Sequence, residues 1–134
     1  MKNTALFFIL FIAGTGALSQ NLIGYNNNEI RKYMKENHKE MSINKVTNSR
    51  FIYLKYTNSN DNQTLLFFLN ADSVCQSIRL ICDRSVLPEK IKEFNSSYVR
   101  SSENRWIDKH NGKNYLIEIK DEQWSTVVTI EPDK

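Results

Sequence analysis

Leu65, Phe67 and Leu69 stand at alternate positions, and fifty residues later Tyr115, Ile117 and Ile119 stand the same way. An apolar residue at every second position gives a strand one greasy face, so each run must lie in a sheet that buries it. The same displacement lays Val74, Ile78 and Leu80 on Trp124, Val128 and Ile130. A chain that repeats its strand code in register is expected to repeat a structural unit, and that unit needs a second layer to cover its apolar face.

Helical periodicity precedes each set of strands. Asn26 with Glu29 three residues on forms a capping-box signature, and Ile30, Tyr33, Met34, Asn37 and Met41 follow near helical spacing, predicting a helix over residues 27–40. Leu87-Pro88-Glu89 opens a second, with Ile91, Phe94 and Tyr98 on one face. Strands are expected over 50–57, 63–69 and 74–82 in the first half, and over 105–109, 113–120 and 123–131 in the second. Asn111-Gly112 marks a hairpin. Ile30 and Tyr33 align with Ile91 and Phe94 at a displacement of 61. The reading is an α+β domain of two tandem helix–β–β–β units, pseudo-repeats 26–82 and 87–132. Its expected form is one antiparallel sheet of about six strands with two helices packed on one face.

The first nineteen residues obey a different rule. Lys2 precedes an apolar run from Ala5 to Ala13, and small residues lead to Ala17-Leu18-Ser19. This is the layout of a cleavable signal peptide, with cleavage expected near Ser19–Gln20. The run is too short for a bilayer span, which needs about 20 residues. Residues 20–134 are then a single domain, secreted or periplasmic, with no membrane span after cleavage. Eighteen basic residues, Lys2 among them, against fifteen acidic ones leave too little positive charge for a nucleic-acid footprint.

Export permits disulfides, and Cys75 and Cys82 are the two cysteines. No Gly, Pro, Asn or Asp between them turns the chain. In a strand, seven steps of ~3.3 Å hold the two Cα atoms ~23 Å apart, whereas a disulfide needs about 7 Å. No bridge is expected, and their odd separation predicts opposite faces, with Cys82 on the apolar one.

Catalytic patterns are sparse. His38 falls on the polar side of the first predicted helix and is expected in solvent. Asp108 and His110 share a strand face near the hairpin, but two ligands do not close a zinc site, so no metal and no cofactor is expected. The sequons at Asn62 and Asn95 matter only in a eukaryotic source. The alternative to a binding protein is a small extracytoplasmic hydrolase using Asp108 and His110, or Cys75 as nucleophile.

One face carries a different signal. Leu66 and Phe68 alternate out of phase with the core code, and Cys75, Ser77, Arg79 and Ile81 are expected beside them. An apolar row on an outer face is covered by something. Leu22, Ile23 and Tyr25 could fold over it; otherwise it is a docking surface. The leading expectation is therefore a non-catalytic interaction module whose contacts are Leu66, Phe68, Arg79 and Ile81. The partner would be another protein or a second copy, and a self-associating envelope subunit is the remaining alternative.

Overall fold

The computed structural model describes residues 21–47, 52–59, 62–110 and 112–133. Helix α1 (Asn27–Asn37) leads into strands β1 (Met41–Thr47), β2 (Ile52–Asn58), β3 (Gln63–Leu69) and β4 (Cys75–Cys82). A 3-10 turn, Arg84–Val86, opens helix α2 (Leu87–Ser97), and β5 (Val99–Ser102), β6 (Arg105–His110), β7 (Lys113–Asp121) and β8 (Thr126–Pro132) follow. All eight strands form one antiparallel sheet in the order β1-β2-β3-β4-β8-β7-β6-β5.

This corrects the expected six-stranded sheet under two helices. Each half is a helix followed by four strands, and the helices are short, eleven residues apiece. The two overlooked strands, β1 and β5, are the sheet's edges. An edge strand needs no apolar code, and polar residues there discourage pairing with other chains. Every residue of β5 is exposed, and β1 places Asn44 and Lys45 within its seven residues.

The core follows from strand parity. Leu54, Leu65, Phe67, Ile78, Leu80 and Ile117 are each at most 1 % exposed and lie opposite one another through the register of β2, β3, β4, β8 and β7. Ile30 and Met34 of α1 and Phe94 of α2 join the same cluster. The Asn26 capping box is formed as read: Glu29 N–H donates to Asn26 Oδ1 and Asn26 N–H to Glu29 Oε1, both 2.9 Å. The helices correspond at a displacement of 60 rather than 61. Ile30 and Met34 are the buried pair of one, Lys90 and Phe94 that of the other.

Two further expectations fail for local reasons. Cys75 and Cys82 are both free and both in the core, each 2 % exposed, not on opposite faces. Phe68 pairs with Ser77 while Leu69 pairs with Cys75, so Gln76 is an extra residue in β4 and resets the alternation. The N-terminal segment does not cover the outer row either. Leu22 is 2 % exposed within the core, Ile23 and Tyr25 pack against that core, and Asn26 bridges to Val74 beside β4.

Candidate functional site

Because one face of each strand is committed to the core, the register decides what the other presents. Tyr53 and Lys55 of β2, Leu66 and Phe68 of β3, and Arg79 and Ile81 of β4 point away from the core. Val127 and Thr129 of β8 and Leu116, Glu118 and Lys120 of β7 continue the surface. Among the described residues no helix packs on this side, since the buried residues of both helices belong to the core cluster.

Three of the four residues singled out from sequence come together. Leu66 lies directly opposite Arg79. The Arg79 guanidinium sits over the Phe68 ring, 5.5 Å from its centroid, and the Tyr53 ring is 5.5 Å from Phe68 on the other side. A cation over an aromatic face is attracted by the ring quadrupole, so Arg79 is held across the sheet instead of sweeping through solvent. Ile81 lies apart from this stack, between Thr64 and Val127. Cys75, expected on this face, is not there. Tyr53 was missed, although its parity against Leu54 and Tyr56 marks it as outward.

The face is predominantly cationic. Lys55, Arg79 and Lys120 pair with no carboxylate among the described residues, and Glu118 is taken by Arg105 at 3.2 Å. The surface is an aromatic and aliphatic patch with a basic surround.

The groups of a hydrolase do not converge. Asp108 Oδ2 accepts from Asn21 Nδ2 at 3.2 Å, and no hydrogen bond or ion pair links Asp108 to His110 among the described residues. Cys75 Sγ donates to the Ser77 carbonyl, and burial pushes its thiol up to about 12. That is the reverse of what a thiolate nucleophile needs. Among the described residues no three His, Cys, Asp or Glu side chains are grouped as for a metal, and no helix is long and apolar enough to cross a membrane.

His38 departs most from expectation. It is 5 % exposed, not solvated. The helix ends at Asn37, and His38 has φ −135° and ψ 62°, so helical periodicity no longer sets its direction. Its Nδ1 lies 3.4 Å from Glu40 Oε2, and its Nε2 is buried with no hydrogen-bond partner. His38 lines a hollow of about 750 Å³ between α1 and the β1–β2 edge, together with Met34, Met41, Ile43 and Tyr56. Tyr56 is pushed up by burial, an effect opposed by the nearby Arg31 guanidinium.

No family model, curated protein or solved structure matches this chain.

Proposed function

We propose that the chain is an exported, non-catalytic binding module that takes a protein partner on the open face of its sheet. The observation that carries this reading is the Tyr53–Phe68–Arg79 stack on a face that no described segment covers. Rigid aromatics and arginine are the side chains that anchor protein interfaces, because they bury much area for little lost freedom. The basic surround of Lys55, Arg79 and Lys120 favours a partner whose apolar contact area is fringed by carboxylates. Export rests on the signal-peptide layout of residues 1–19, and the secreted or periplasmic address follows from it.

The test pairs Phe68→Asp with Arg79→Glu in the full chain. Affinity capture from the extracytoplasmic fraction, followed by measured binding to the purified captured protein, should show both variants losing affinity while circular dichroism and melting stay unchanged. Binding retained by both folded variants refutes the assignment, and unfolding of Phe68→Asp alone places Phe68 in the core. N-terminal sequencing of the exported form should begin at Gln20; an uncut chain refutes the address.

A further inference from the structure

The two halves fill the space beneath their helices differently. Displaced by 60, Met34 and His38 correspond to Phe94 and Tyr98. Register places Leu54 where the second half has Trp106, since Leu54 pairs with Phe67 and Trp106 with Ile117. In the second half these side chains are three aromatic rings, with Phe94 packed against both of the others at centroid distances of 5.3 Å for Trp106 and 5.7 Å for Tyr98. Methionine, histidine and leucine are smaller. Beside them in the first half lies the hollow of about 750 Å³, a volume ordinary for small-molecule sites.

The lining is divided by chemistry. Met34, Met41, Ile43 and Tyr56 supply an apolar floor, and Arg31, Lys35 and Lys39 stand along one side. The corresponding positions in the second half are Ile91, Asn95 and Val99, none of them charged. None of the three cations is ion-paired among the described residues. An adjoining hollow of about 590 Å³ is lined by Arg31, Lys32, Lys35, Glu36 and Lys39, extending the basic surface outward. Independently, His38 is buried, lines the larger hollow and leaves Nε2 without a partner. Such an orphaned atom carries a desolvation cost that a ligand oxygen would remove.

We infer that this groove binds an organic amphiphile with one anionic head, a carboxylate on a hydrocarbon or aryl body. The head meets Arg31, Lys35 and His38, and the body lies on Met34, Met41 and Ile43. This site is on the core side of the sheet edge, separate from the Phe68 face, and neither depends on the other.

Decanoate is the probe, with decyltrimethylammonium (same tail, opposite charge) and butyrate (same head, short tail) as controls, each titrated into the full chain by calorimetry and by NMR. Decanoate should bind, and each control should bind at least about tenfold more weakly. The double variant Arg31→Glu/Lys35→Glu should weaken decanoate about tenfold or more with melting unchanged. Met34→Phe, which imports the side chain of the second half, should fill the groove and abolish binding while keeping the fold. Equal binding of decanoate and decyltrimethylammonium overturns the inference, as does full affinity in both folded variants. Absence of decanoate binding at millimolar concentration overturns it equally.

Discussion

Raising the pH should loosen this fold through one sulfur atom, by an amount that can be worked out. Cys75 is 2 % exposed, and burial pushes its thiol from an ordinary value of 9.0 to about 12. The unfolded chain releases that proton near pH 9 and the folded chain only near pH 12. Between those values the native state binds more protons than the unfolded one, so stability falls as pH rises through the window. At pH 10, one unit above the unfolded value, Cys75 alone accounts for about 1.4 kcal/mol of loss. Cys82 and Tyr56, raised by burial, and Tyr98, raised to about 12, act in the same direction and add to the wild-type loss. Cys75→Ala deletes this one contribution and introduces a packing cost that does not vary with pH. Urea unfolding of both proteins at pH 7 and pH 10, followed by circular dichroism in a reducing buffer, isolates it. The stability advantage of wild type over Cys75→Ala should shrink by about 1.4 kcal/mol from pH 7 to pH 10. A constant advantage would mean that the thiol ionises freely within the fold, and the nucleophile reading of Cys75 would regain its chemistry.

Two further expectations concern local devices. Deleting Gln76 should regularise the β3–β4 ladder, because Ser77 and Cys75 already face Phe68 and Leu69. The variant should fold, lose no more than about 2 kcal/mol, and keep both thiols unreactive to Ellman's reagent; rapid thiol labelling would refute the bulge assignment. Asn95 Oδ1 accepts from Nε1 of the fully buried Trp106 at 2.9 Å, so Asn95→Ala should cost about 1–3 kcal/mol in urea unfolding. Asn95→Asp, which keeps an acceptor, should cost less.

What could be read from residues alone divides along physical lines. Central strands declare themselves because burial of one face forces alternation, and Gln63–Leu69 is bounded in the structure as its pattern implied. Edge strands face no such demand, which is why Val99–Ser102 passed as connection. Parity counting placed Leu66, Phe68, Arg79 and Ile81 on the outer face, yet it failed for Cys75 because one unpaired residue reverses every position beyond it. His38 was misread because the helix ends at Asn37, three residues earlier than its periodicity implied. The groove beneath α1 left no motif, since its lining is gathered from α1, β1 and β2 with no spacing in common.

The meeting of β4 with β8 has a consequence for the order of events as the chain is made. Ile78 pairs with Ile130 and Leu80 with Val128, so the middle of the sheet is closed only by residues about fifty positions further along the chain. Until they arrive, the first half carries β4 as a bare apolar margin able to zip onto any passing strand. Long-range closure of this kind slows folding and prolongs that exposure.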